Sequence, residues 1–74
     1  MPIISFMSVK KLGQSIKRRR VLLGITQEAL AQISGTSLRS LKALEIGKAN
    51  PTWKRLVKIV EVLGWEIELR ERKI

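Results

Sequence analysis

The sequence predicts a mainly α-helical fold: a compact bundle of four or five helices, followed by one C-terminal β-strand that pairs across a homodimer. Three observations carry that expectation. Apolar residues recur at helical spacing in four stretches, each opened by a serine or threonine able to cap a helix N-terminus. Between the second and third stretches, Gly35 marks a sharp turn. Near the C-terminus the period changes to two: Trp65-Glu66-Ile67-Glu68-Leu69-Arg70 alternates apolar and polar as a half-buried strand does, with a continuing helix as the alternative over so short a run. The chain divides accordingly into an arm at 1–7, a helical domain at 8–64, and a dimerisation strand and tail at 65–74.

The arm, Met1 to Met7, is apolar but has no basic n-region, so it reads poorly as a signal peptide and better as a loose arm or an apolar flap on the domain or on a second subunit. Ser8 caps a first helix from Val9 to Leu23, with Val9, Leu12, Ile16 and Leu23 inward. The basic residues between them, Lys10, Lys11 and Lys17 above all, read as a solvated face. Gly24 ends that helix, and Thr26 caps the next, whose apolar stripe is Ile25, Leu30 and Ile33. Gly35 stands where the chain turns with φ > 0, a conformation glycine adopts without steric cost. Ser37 caps the third helix, which turns Leu41 and Leu44 inward and leaves Leu38, Arg39, Ser40 and Lys42 for other uses. With Ala31 small where the two helices cross, this is the layout of a helix-turn-helix. Lys48-Ala49-Asn50-Pro51 has loop composition. Thr52 then caps a fourth helix through Leu63, with Trp53, Leu56, Ile59, Val60 and Leu63 as its buried stripe. Trp53 can also stack on a base, but its spacing with Leu56 favours the core.

Composition narrows the function classes. Seventy-four residues make one small domain, whose core is marginal without a staple or a partner chain. Cysteine, histidine and aspartate are absent, and the only acids are six glutamates. Disulfides, thiolate metal sites and the usual general bases are therefore missing, so neither metal, cofactor nor enzymatic activity is expected. The lack of cysteine fits a reducing cytoplasm. Fifteen Lys and Arg leave a formal charge of +9, which favours an anionic partner, nucleic acid first. No apolar run reaches the ~20 residues of a membrane span.

The run Gly24-Ile25-Thr26-Gln27, Leu30-Ala31, Ser34-Gly35-Thr36-Ser37, Leu41, Leu44-Glu45, Gly47-Lys48, Asn50-Pro51, Leu56, Ile59 and Leu63-Gly64 resembles the lambda-repressor/Cro-like (XRE) DNA-binding domains, over most of the chain. The resemblance implies double-stranded DNA as partner, with the helix opening at Ser37 in the major groove. Arg39 is the best reader there, because its fork matches guanine O6 and N7. Leu38, where relatives carry polar residues, suits a thymine methyl, and Ser40 and Lys42 contact bases or phosphates. The resemblance also implies that Arg20 pairs with Glu45 while presenting an N–H to phosphate. It implies that Gln27 grips phosphate at a helix N-terminus flanked by Thr26, as Ser37 flanks the next, and that Lys48, Asn50, Thr52 and Lys54 hold the sugar-phosphate backbone.

A helix-turn-helix followed at once by a strand resembles HipB-like antitoxins, which repress their own operon and bind a HipA-like kinase toxin. A lone strand needs a mate, and Trp65, Ile67 and Leu69 of two copies share one face if a two-fold axis pairs them antiparallel. An axis near Leu69 sets Glu68 against Arg70 and Glu66 against Arg72 of the mate, whereas an axis at Ile67 opposes Glu66 and Glu68. The expected function is a dimeric, sequence-specific repressor on a palindromic operator, with the antitoxin of a kinase toxin as its special case. The alternative is a protein-interaction module that keeps the fold but not specific DNA binding.

Overall fold

A computed structural model describes residues 8–68, which form four helices: α1 (Val9–Leu22), α2 (Gln27–Ser34), α3 (Leu38–Glu45) and α4 (Trp53–Val62). All four expected caps are made. The hydroxyls of Ser8, Thr26, Ser37 and Thr52 accept from the backbone N–H groups of Lys11, Ala29, Ser40 and Arg55 at 3.2, 3.0, 3.1 and 3.2 Å. Each satisfies a donor the helix itself leaves orphaned, an effect worth ~1 kcal/mol per cap. Gly35 closes α2 at φ 70°, in the left-handed region the turn requires.

Helix α1 packs on α3, and α2 packs on both α3 and α4. Leu12 and Ile16 of α1, Leu30 and Ala31 of α2, Leu41 and Leu44 of α3, and Leu56, Ile59, Val60 and Leu63 at α4 make one buried cluster. At Gly13, α1 and α3 come into close backbone contact. A Cβ there would collide with the carbonyl oxygen of Leu44 and stand 3.1 Å from the carbonyl carbon and oxygen of Glu45. The main chain of α3 therefore lies directly on α1, with no side chain between them.

Several expected positions differ. α1 stops at Leu22, and Leu23 is exposed, because Arg20 rather than Leu23 takes the inward place in the last turn. Ile33 is 67% exposed; the inward slot of α2 belongs to Ser34, whose hydroxyl is satisfied by the Leu30 carbonyl at 2.7 Å. Trp53 is 60% exposed, since it opens α4 in the first turn, ahead of the buried residues beginning at Leu56. Leu38 is half-buried and packs against the core.

The C-terminal segment also departs from expectation. Among the described residues there is no strand: 65–68 carry no regular secondary structure, and Leu69 to Ile74 lie outside the described residues, as does the arm at 1–7. A strand ladder needs a second strand to exchange hydrogen bonds with, and none occurs among the described residues. Instead Trp65 donates its N–H to the Val60 carbonyl at 2.8 Å, and Trp65 and Ile67 pack on the core of their own domain.

The Gly13 contact sets a test. Because a backbone carbonyl cannot move aside as a side chain tip can, Gly13→Ala should destabilise the domain by ~1–3 kcal/mol, the usual range for overpacking. Chemical denaturation checks this, and an unchanged midpoint would show that α1 and α3 can separate at little cost.

Candidate nucleic-acid interface

The turn at Gly35 presents α3 with Leu41, Leu44 and Glu45 buried and Arg39, Lys42 and Ile46 exposed along its outer side. Of the expected base readers, Arg39 and Lys42 are thus fully available. Ser40 is half-buried, and its hydroxyl accepts from that of Ser37 at 2.8 Å. Leu38 is half-buried too, and the core takes part of its side chain.

Behind α3, one ion pair fixes the geometry. Arg20 donates from Nε to Glu45 Oε2 at 2.7 Å and from Nη2 to Oε1 at 3.0 Å, the bidentate fork expected between these residues. Its Nη1 donates to the Ile25 carbonyl at 2.9 Å, and Gln27 donates from Nε2 to Glu45 Oε1 at 3.0 Å. Arg20 is 8% exposed and Glu45 3%. The hydrogen bond to Glu45 raises the Arg20 pKa above its ordinary value; burial works against it, while the negative charges of Glu45 and Glu28 add to it. The three bonds use three of the five guanidinium N–H groups, which gives Arg20 a structural role and leaves one N–H on each of Nη1 and Nη2 for the expected phosphate contact. Gln27, half-buried, holds the carboxylate as well as standing at the start of α2.

The remaining expected cations and caps surround α3. Thr26, Ser37, Lys48, Asn50, Thr52 and Lys54 are all exposed. Thr36, Ser40, Asn50, Thr52 and Arg55 line one small hollow between α3, the following loop and α4. The structure therefore brings Ser40 together with Asn50 and Thr52, and adds Arg55, which the sequence reading left out although it continues the Lys54-Arg55 basic pair. Trp53, between Thr52 and Lys54, is exposed and does not join the core. The Thr36 hydroxyl is buried without a protein partner. No group of metal-ligating side chains occurs among the described residues, and no helix there is long and apolar enough to cross a membrane.

A capped α2, a left-handed glycine turn and an α3 with a cationic outer side define a helix-turn-helix domain. The helix-turn-helix family model matches residues 16–69, and the chain belongs to this family, of Cro/C1 type. It is 40% identical over 57 residues to an HTH-type transcriptional regulator of Methanocaldococcus jannaschii, covering 77% of this chain and 86% of that one. It is 39% identical over 59 residues to an HTH-type transcriptional regulator of Sinorhizobium fredii, covering 78% and 77%. Among solved structures, the restriction-modification controller protein C.AhdI from Aeromonas hydrophila is similar at a TM-score of 0.75 and 29% identity, over 78% of this chain and 88% of that one.

The buried pair yields a second test. Glu45→Ala leaves the Arg20 guanidinium buried without its carboxylate partner and should cost ~3–5 kcal/mol of stability. Arg20→Ala should cost a similar amount, and the double variant clearly less than the sum, as a double-mutant cycle requires of directly coupled groups. Strictly additive losses in thermal or urea unfolding would mean that the two side chains act independently.

Proposed function

We propose that this protein is a sequence-specific double-stranded DNA-binding transcriptional regulator that acts as a dimeric repressor. The observation that carries this is the exposed Arg39 and Lys42 on the outer side of α3, with its buried side fixed by Arg20 and Glu45. A helix seated in the major groove needs its readers free and its orientation set from behind. Exposed Lys48 and Lys54, with Asn50 and Thr52, flank α3 as backbone-positioning groups do. The HTH-type regulators and the controller protein that this chain resembles support the same reading. A double-stranded DNA target fits a cytoplasmic location. The antitoxin reading, with a HipA-like kinase as partner, rests on the sequence layout alone; co-purification with the product of an adjoining reading frame tests it, and a kinase-like product that never co-purifies sinks it.

Arg39→Ala should weaken binding to the preferred duplex by ~1–3 kcal/mol and relax preference at one base pair. Lys48→Ala should lower affinity for all sequences alike and make the salt slope shallower by about one unit. Mobility-shift titrations over a range of salt separate the two effects. If Arg39→Ala changes neither affinity nor base preference, direct readout by Arg39 fails.

Dimerisation through the C-terminal segment is the second part of the proposal. Two copies joined there would set their α3 helices on successive major-groove segments of a palindromic site, ~34 Å apart. Since Trp65 and Ile67 already pack on their own core, removing residues 69–74 is a cleaner test than removing the whole segment from Trp65. The shortened chain should sediment as a monomer and bind half-sites only weakly. A shortened chain that remains dimeric at full affinity would refute strand-mediated pairing.

A further inference from the structure

We propose that the outer face of α1 is a docking surface for an acidic, apolar-anchored peptide segment of a partner protein. Helix α1 buries Leu12, Gly13, Ile16 and Arg20 against the domain, with Gly13 against the backbone of α3. The helical period turns Gln14, Arg18 and Leu22 to the opposite side, away from α3. Two adjoining hollows run along that side. One is lined by Gln14, Lys17, Arg18 and Val21, and the other by Ser15, Arg18, Arg19, Leu22 and Trp65.

The chemistry of this face selects its occupant. Leu22 is 74% exposed and Val21 60%, so two large apolar side chains stand in water with nothing of the described domain over them. The charges lining both hollows are positive: α1 contains no acidic residue, and neither hollow has one in its wall. Arg19 donates from Nε to the Leu63 carbonyl at 3.0 Å and lies 5.8 Å from the centre of the Trp65 ring, so the second hollow has a fixed aromatic wall. An apolar anchor between Leu22 and Trp65 with carboxylates toward Lys17 and Arg18 satisfies both features. A nucleic-acid backbone would leave Val21 and Leu22 unused. Because the face points away from α3, the segment can bind while the outer side of α3 is occupied.

The test uses the full chain and, as probe, a synthetic peptide of about 16 residues, some four helical turns, with Leu on one face and Glu on the other. Oligoglutamate of the same length and a duplex of random sequence are the comparisons. Backbone amide shifts on adding the peptide should centre on Gln14, Arg18 and Leu22, with the Trp65 indole moving too. Leu22→Ser and Arg18→Glu should each weaken peptide binding about tenfold, as anchor residues of an interface do. Oligoglutamate should bind more weakly than the amphipathic peptide. Leu22→Ser should melt as the parent does, since the side chain is exposed. Shifts centred on Arg39 and Lys42, tighter binding of oligoglutamate, unchanged affinity in Leu22→Ser, or the duplex displacing the peptide from α1 would each overturn the proposal. So would a Leu22→Ser chain that loses a self-association seen in the parent, because the occupant would then be a second copy.

Discussion

One carboxylate holds the interface together. Glu45 is the last residue of α3; it receives two hydrogen bonds from Arg20 of α1 and one from Gln27 at the start of α2. Arg20 in turn reaches the Ile25 carbonyl in the turn before α2. Three helices thus converge on one buried pair, and the orientation of α3 relative to the α2 N-terminus is fixed by directional bonds rather than by apolar contact alone. Burying two charges costs several kcal/mol per ion, which the mutual attraction offsets only when the hydrogen bonds are well made. An apolar pair of similar volume would hold the same helices, but many neighbouring geometries would satisfy it almost equally well. The fork accepts few.

The placing of that pair also depends on a glycine, about two helical turns before Arg20 on the same helix. Gly13 lets the α3 backbone at Leu44 and Glu45 rest on α1, so the main chain of Glu45 is set by Gly13 and its side chain by Arg20, seven positions further along the same helix. Seven residues are close to two helical turns, which puts both on the α3-facing side of α1. A larger side chain at position 13 would push α3 outward and stretch the bonds that Arg20 makes. Close approach and ion pairing are therefore one constraint seen at two places along α1.

Much of this was legible in the sequence, and the failures have physical causes. All four caps were readable because a cap is a local event, a hydroxyl and an N–H three residues on. Leu30, Leu41, Leu44, Leu56, Ile59, Val60 and Leu63 were readable because burial of a helix face repeats with the helix. Leu23, Ile33 and Trp53 misled because periodicity says which residues share a face but not how far along the helix the neighbour reaches. Ser34 took the place expected of Ile33, since a hydroxyl bonded to the preceding turn is no longer a buried unpaired group. Gly13 left no signal, as a glycine inside a helical pattern is by itself only a weak helix former; what requires it is a carbonyl of α3, distant in sequence. The pairing of Arg20 with Glu45 was legible through family resemblance, while the hydrogen bond from Gln27 to Glu45 was not.

The net charge of +9 is not spread evenly in its consequences. Arg20 is neutralised by Glu45 and belongs to the architecture, and Arg19 is committed to the Leu63 carbonyl and the Trp65 ring. Arg39, Lys42, Lys48 and Lys54 surround the outer side of α3, where no acid among the described residues is buried with them except Glu45 behind. Lys17 and Arg18 lie on the other side of α1, beside exposed Val21 and Leu22. Near a duplex, the α3 set gains most from counterion release, since its cations can approach phosphates together. With α3 docked as proposed, the α1 set would be turned away from the groove and would act mainly by long-range attraction, which salt screens within ~10 Å. Cations kept beside uncovered apolar side chains serve a different kind of contact from cations kept beside polar caps. The described domain thus carries two groups of exposed cations, and the buried pair joins α1, which bears one group, to α3, which bears part of the other.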